Sequence, residues 1–220
     1  MTARLLDRLQ RLLAGINDVP LTFAVSDFHF GERARCGALL GRSMEPDEDE
    51  QVLISEREDE TELGVYIDGG VLNRLRRRDP LRQLGDDNLA DFCTALEGVS
   101  HFQYLVWCIG NRRQLSMLEL ELQGEVDKYA AATCLLRQQG RADLPHGLRH
   151  RLFDQVRFAA TLSADQRRRY EEANHVAAGF CQRLEQRFLR RQRFRPEAWL
   201  RALREFYRRP HHQKLCYALR

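Results

Sequence analysis

Apolar side chains change their spacing partway along this chain of 220 residues, and that change narrows the folds it can adopt. In Gln51–Glu56 and Leu63–Asp68 apolar residues alternate with polar ones, which is the period of a half-buried strand. From Asp86 onward they recur every three or four residues, which is the period of an amphipathic helix. The two patterns together predict an α+β protein, with a small N-terminal antiparallel sheet and short helices followed by a mostly α-helical C-terminal part.

The N-terminal part, residues 1–80, is predicted to contain a helix and three strands. Leucines at helical spacing in residues 5–16 are interrupted by arginines, which favours an amphipathic helix over a signal peptide. The first strand is expected at Leu21–Phe30. The polar segment Arg57–Glu62 separates the two alternating strands and predicts a hairpin.

Capping residues predict where the helices of the C-terminal part begin and end. Ser116 and Ser163 each stand three residues before a Glu or a Gln, which is the spacing of a capping box, so a helix should begin at each. The first helix should end near Gly140 and the second near Arg191. Pro196 suits the first turn of another helix.

Two apolar segments are compatible with either a helix or a strand. Residues 101–110 form an almost unbroken apolar run, and the leucines of residues 118–128 alternate strictly. The capping box before the second segment favours a helix there. In a helix, Glu119 and Glu121 point roughly 160° apart, so these two carboxylates could share a metal ion only in a strand.

Charge is divided unevenly between the two parts of the chain. Residues 1–136 contain 15 Lys or Arg against 24 Asp or Glu, whereas residues 137–220 contain 20 against 8. The formal net charge of +3 therefore combines −9 with +12, and the helical part, residues 86–220, is basic from about residue 137. Such asymmetry predicts a polyanionic or acidic partner, or attraction between two parts of one protein.

The arginines of the C-terminal part predict a docking surface for an acidic macromolecule, either a nucleic acid or a protein. A guanidinium group binds a phosphate or a carboxylate at two points, and aromatic residues interleaved with arginines add the possibility of base stacking. The aromatic candidates are Phe194, Trp199, Phe206 and Tyr207, and further bases are Arg201, Arg204, Arg208, Arg209 and Lys214. The residues predicted to bind the partner are Arg183, Arg187, Arg190, Arg191, Arg193 and Arg195.

The acidic segment 45–62 is the counterpart of that basic surface, since it carries ten acidic residues and one base, Arg57. A solvated loop and strand edge explain it, because charge on an edge strand discourages pairing with other chains. The alternative is that it covers the basic surface until a partner displaces it. Deletion of residues 45–62 should then strengthen binding of a polyanion.

One alternative function comes from the segment Ala24–Gly31, an apolar run ending in Asp27-Phe-His29. It resembles the first metal-binding element of the calcineurin-like metallophosphoesterases, and Gly110-Asn111-Arg112 resembles a later one. The resemblance implies a two-metal phosphoesterase in which Asp27, His29 and Asn111, with His146 as a further candidate, bind metal ions. That family also has a β-sandwich, whereas residues 114–220 predict helices.

A second metal alternative comes from carboxylate and histidine pairs spaced four residues apart on predicted helices. Facing helices that carry such residues can build a metal site inside a bundle. The pairs are Glu97/His101, Glu121/Glu125, His150/Asp154 and Glu171/His175.

The preferred interpretation is a cytoplasmic, non-enzymatic binding or accessory protein without a cofactor. The chain lacks the short signatures of nucleotide-binding loops, zinc proteases and serine hydrolases, and no apolar run approaches the length of a membrane span. Six dispersed cysteines suit a reducing compartment. A helical assembly protein that forms oligomers is a further alternative.

Overall fold

The computed structural model describes residues 2–41, 44, 48–57, 60–141, 145–156, 162–189 and 194–219. The N-terminal elements are α1 (Thr2–Asn17), β1 (His29–Phe30), α2 (Arg33–Leu40), β2 (Glu50–Arg57), β3 (Glu60–Ile67) and α3 (Gly69–Arg77). The C-terminal elements are α4 (Leu89–Gly110), α5 (Met117–Gln138), α6 (Pro145–Arg149), α7 (Ala164–Leu184), α8 (Pro196–Arg208) and α9 (His211–Leu219). A π-helical turn follows α6 at His150–Asp154, and another follows α7 at Glu185–Leu189. This arrangement confirms the predicted α+β class.

The sheet is a β2–β3 antiparallel hairpin to which β1 adds a short parallel strand beside β3. Val52 pairs with Val65 in the hairpin, and His29 of β1 pairs with the same Val65. The strand predicted at Leu21–Phe30 is wrong except for its last two residues. Its earlier backbone groups bind α1 instead: the amide of Gln10 donates to the Phe23 carbonyl, and its oxygen accepts from the Val25 N–H.

The long helices begin close to their predicted residues. The hydroxyl of Ser116 accepts from the Glu119 N–H, and Ser163 and Gln166 form a complete capping box. Gly140 follows α5 with a positive φ of 72°, a conformation that glycine adopts without strain. Residues 101–110 belong to α4, and residues 118–128 belong to α5. Both segments that were compatible with either a helix or a strand are therefore helical.

Helix α5 lies in the middle of the core, where it packs against α4 and α7. Its apolar side chains share one large cluster with residues from α1, β3, α4, α7 and α8. This cluster takes side chains from both sides of the predicted boundary at residues 80–86, and the division into two domains stays a prediction. None of the helices in the described part of the chain combines the length and apolar character needed to cross a membrane.

Candidate functional site

Helix α5 carries buried charged side chains on two opposite faces, which is unusual because ionised groups lose hydration when they are buried. Glu119 and Asp127 lie on one face and are each 1% exposed, while Glu121 and Lys128 lie on the other and are 5% and 8% exposed. The predicted divergence of Glu119 and Glu121 is confirmed, since the two carboxylates contact different partners. Each face forms part of a separate cluster.

The first cluster, here called the Lys214 cluster, consists of Arg113, Glu119, Gln123, Asp127 and Lys214. The Lys214 ammonium is fully buried, donates to Gln123 Oε1 at 2.6 Å and lies 3.7 Å from Glu119 Oε1. Arg113 forms an ion pair with Glu119. Burial lowers the pKa of Lys214 to about 7, and the nearby Glu119 carboxylate only partly opposes this shift.

Asp127 accepts three hydrogen bonds in the same cluster. Ser100 Oγ donates at 2.6 Å, Gln123 Nε2 at 2.9 Å and Asn17 Nδ2 at 3.1 Å. Burial raises the pKa of Asp127, while these donors oppose the shift. The bonds connect α5 to α1 and α4, so this cluster fastens the helices together.

The second cluster, here called the His101 cluster, consists of Glu50, Glu97, His101, Glu121, Glu125 and Lys128. These side chains come from β2, α4 and α5. The Lys128 ammonium lies 2.9 Å from carboxylate oxygens of both Glu97 and Glu125. Four carboxylates therefore surround one lysine and one imidazole, with Arg169 Nε 3.9 Å from Glu121 at the edge.

His101 stands between two of these carboxylates without bonding closely to either. Its Nδ1 is 3.4 Å from Glu50 Oε1, and its Nε2 is 3.6 Å from Glu121 Oε2. The imidazole is 6% exposed, and Nε2 has no hydrogen-bond partner. Oxygens of Glu50 and Glu125 are also buried without a hydrogen bond.

The carboxylates control protonation inside the His101 cluster. Burial by itself lowers the pKa of His101, but Glu50, Glu121 and Glu97 outweigh it and raise the pKa to about 9. Burial raises the pKa of Glu121 to about 7, although His101 acts in the opposite direction. The imidazole of His101 is therefore protonated at neutral pH, whereas the carboxyl group of Glu121 titrates near neutral pH.

Three members of the His101 cluster are placed to bind one metal ion. Glu97, His101 and Glu121 each direct one ligand atom into a region where all three atoms lie within 4.8 Å of one another. Among the described residues, Asp27 and His29 do not belong to a group of this kind.

Two of the predicted carboxylate and histidine pairs, Glu97/His101 and Glu121/Glu125, thus meet in this cluster. The other two do not: His150 and Asp154 form an exposed pair at 2.9 Å, and Glu171 and His175 are both exposed on α7. The interpretation of segment 45–62 as solvated missed Glu50. Alternation along β2 puts Glu50 on the same face as Val52, which is partly buried against the core, and that signal could have revealed the burial of Glu50.

The phosphoesterase residues stay apart from this cluster and have other contacts. Asp27 is exposed at the end of a 3₁₀ turn, and His29 Nε2 lies 3.3 Å from the Ile67 carbonyl. Asn111 caps the C-terminus of α4 and donates from Nδ2 to the Trp107 carbonyl at 2.7 Å. The side chain of His146 lies outside the described residues.

The structure describes three of the six arginines that were predicted to bind the partner. Arg183 is half-buried at the end of α7, Arg187 is exposed in the π-helical turn, and Arg195 is exposed before α8. Arg190, Arg191 and Arg193 lie outside the described residues.

Other residues of the predicted basic and aromatic surface bind other parts of the protein or lie in its core. Arg204 donates to the Ile16 and Gly15 carbonyls, and Arg208 donates to those of Asn17 and Asp18, so both cap the C-terminus of α1. Lys214 is buried, as are Trp199, Phe206 and Tyr207. Amphipathic spacing placed these residues on helices but could not show which side of each helix faces the core.

An open groove of about 830 Å³ is lined by residues from the end of α7, the π-helical turn after it, α8 and α9. Its walls carry Arg183, Arg187 and Arg209 around an apolar floor that includes Phe188. The Arg209 guanidinium lies 4.2 Å from the centre of the Tyr217 ring. Burial lowers the pKa of Arg183, whose Nη2 is buried without a hydrogen bond.

The acidic segment contacts other parts of the protein where the structure describes it. Asp49 pairs with Arg33 at 3.0 Å, and Glu50 faces His101. Both contacts lie outside the basic half of the chain. Comparison of the chain with protein-family models, with curated proteins and with solved structures found no match.

Proposed function

We propose that this protein is a binding protein that holds single-stranded nucleic acid in the groove between α7 and α9. The observation that carries the proposal is the set of guanidinium groups on the groove wall. Within the described residues, no carboxylate pairs with Arg183 or Arg187, and one nitrogen of Arg183 is buried without a partner. A desolvated cation of this kind gains free energy when an anion reaches it.

Phosphate groups suit these arginines because a guanidinium binds two phosphate oxygens at once. A single strand can follow an open basic groove and place a base against an exposed aromatic surface. The Arg209 guanidinium lies over the half-buried ring of Tyr217, so its planar group offers a base a stacking surface there. The charge of the C-terminal half, 20 bases against 8 acids over residues 137–220, favours any polyanion that approaches it. With six free cysteines in the chain, we expect this activity in the reducing cytoplasm.

The test is titration of labelled oligouridine with the purified protein over a range of salt concentrations. Changing Arg183, Arg187 and Arg209 together to Gln should weaken binding about 10-fold or more, because each phosphate contact releases counterions. The slope of log K against log salt should fall by about 2, since each contact to a single strand contributes about 0.7. The matched control changes the exposed Arg76, Arg77 and Arg82 to Gln, which removes the same charge from another surface.

Equal losses in the two triple variants would contradict the proposal, because they would show a general charge effect. Duplex DNA and polyglutamate are the comparison ligands in the same titration. Tighter binding of polyglutamate than of oligouridine would overturn the nucleic-acid proposal in favour of an acidic protein.

A further inference from the structure

We propose that Glu97, His101 and Glu121 bind one divalent transition-metal ion, and that Glu50 orients the imidazole for this role. The chemical class is an ion that accepts both carboxylate oxygen and imidazole nitrogen, such as Mn²⁺, Fe²⁺ or Zn²⁺. This inference is independent of the proposed nucleic-acid groove, which involves none of these residues.

The distances fit one shared ion better than direct bonding. His101 Nε2 and Glu121 Oε2 are 3.6 Å apart, which is too long for a hydrogen bond. Ligands that bind one ion from 2.0–2.2 Å lie at most about 4.4 Å apart. The three ligand atoms lie within 4.8 Å of one another, so side-chain movements of a few tenths of an ångström bring them into range.

The environment of the imidazole is the second, independent observation. His101 is 6% exposed, and its Nε2 is buried without a hydrogen bond in the direction of Glu121. On the other side of the ring, Nδ1 faces Glu50 at 3.4 Å. Histidines that bind metals typically present their second nitrogen to a carboxylate or a carbonyl, which fixes the ring and leaves the first nitrogen for the ion.

Helix α5 leaves room for the imidazole at this position because residue 124 is a glycine. A Cβ added at Gly124 would lie 2.9 Å from His101 Nε2 and 3.8 Å from Glu97 Cγ. Glycine within a helix destabilises it by roughly 1 kcal/mol relative to alanine. The space beside Nε2 therefore depends on a residue that is unfavourable for the helix itself.

Charge also favours a cation here. Glu50, Glu97, Glu121 and Glu125 face Lys128, His101 and Arg169, so the carboxylates outnumber the nearest cations by one. A bound ion would compensate these carboxylates.

The experiment is a titration of the metal-free, untagged full chain with Mn²⁺, in which the EPR signal of free Mn²⁺ reports the unbound ion. Mn²⁺ is the probe because it prefers oxygen and nitrogen ligands to the thiols of the six cysteines. We expect one ion per chain, and at least about 10-fold weaker binding in Glu121→Gln and in Gly124→Ala. The His150→Asn variant is the control, because it removes an exposed histidine beside a carboxylate and should leave binding unchanged.

Circular dichroism melting of each variant accompanies the titration. Gly124→Ala keeps every ligand and introduces a residue that favours helices, so it separates loss of the ion from loss of the fold. The proposal would be overturned if the folded wild-type chain left the free Mn²⁺ signal unchanged. It would equally be overturned if binding persisted in both cluster variants, or disappeared in His150→Asn alone.

Discussion

The two faces of α5 bury charge in opposite ways. On the Lys214 side, Asp127 accepts from three donors, and Glu119 accepts from Arg113 and from the Tyr104 hydroxyl. On the His101 side, polar atoms of His101, Glu50 and Glu125 are buried without a hydrogen bond. No member of the Lys214 cluster has such an atom among the described side chains.

The difference separates a cluster that holds the fold from one that is prepared for a ligand. Buried polar groups are normally paired, because each unpaired group loses its hydration without compensation. Where several unpaired groups converge, the arrangement departs from what stability alone favours, and such departures concentrate at functional sites. The comparison therefore predicts that the two faces respond differently to the same kind of substitution.

The largest effect on stability is expected from Glu119→Ala, on the Lys214 side of α5. The substitution leaves Arg113 and Lys214 without their carboxylate in a buried site, which should lower the free energy of unfolding by about 3–5 kcal/mol. Urea denaturation measures this change. Glu172→Ala on the exposed face of α7 is the control and should stay within about 0.5 kcal/mol of the wild type. A loss of similar size in both variants would contradict the claim that the buried contacts of Glu119 stabilise the fold.

A smaller effect, with a definite sign, is expected from the pH dependence of Lys214. The pKa of Lys214 is about 7 in the folded protein and near 10.5 in the unfolded chain, because burial outweighs Glu119 and Asp127 and acts together with Arg113. Between these values the unfolded chain binds a proton that the folded one lacks, so Lys214 makes the protein more stable as pH rises.

Replacement of Lys214 by methionine should remove this contribution. The unfolding free energy of the wild type minus that of Lys214→Met should increase by up to about 1.4 kcal/mol per pH unit above pH 7 and stay constant below it. Urea denaturation from pH 6 to 9 gives both curves. Parallel curves across this range would show that the buried ammonium does not titrate in the folded protein.

Sequence spacing predicted the helices and strands of this fold better than it predicted which distant residues they contact. The capping residues Ser116 and Ser163 act within a few residues of themselves, so the beginnings of α5 and α7 could be read locally. The prediction of a strand at Leu21–Phe30 was wrong because backbone groups of this segment bond to the side chain of Gln10. The local sequence pattern cannot predict such a contact.

Sequence spacing likewise predicted the candidate site only as separate pairs of residues. Spacing found Glu97 with His101 and Glu121 with Glu125, but their meeting depends on how α4 packs against α5. One compositional signal could have helped. The chain has only two lysines beside its many arginines, and these two, Lys128 and Lys214, are the bases buried in the two clusters.

The most direct test of the contrast between the two faces is a pair of matched substitutions on the same helix, Asp127→Asn and Glu121→Gln, each compared with the wild type by urea denaturation in the presence of a chelator. Asp127→Asn keeps one acceptor oxygen but replaces the other with an NH₂ group, which then faces either the Ser100 hydroxyl or the amides of Gln123 and Asn17. It should lower the free energy of unfolding by about 1–3 kcal/mol. Glu121→Gln removes a negative charge from beside Glu97 and Glu50, so it should change stability by less than about 1 kcal/mol or increase it. Equal losses in the two variants, or a larger loss in Glu121→Gln, would contradict this account.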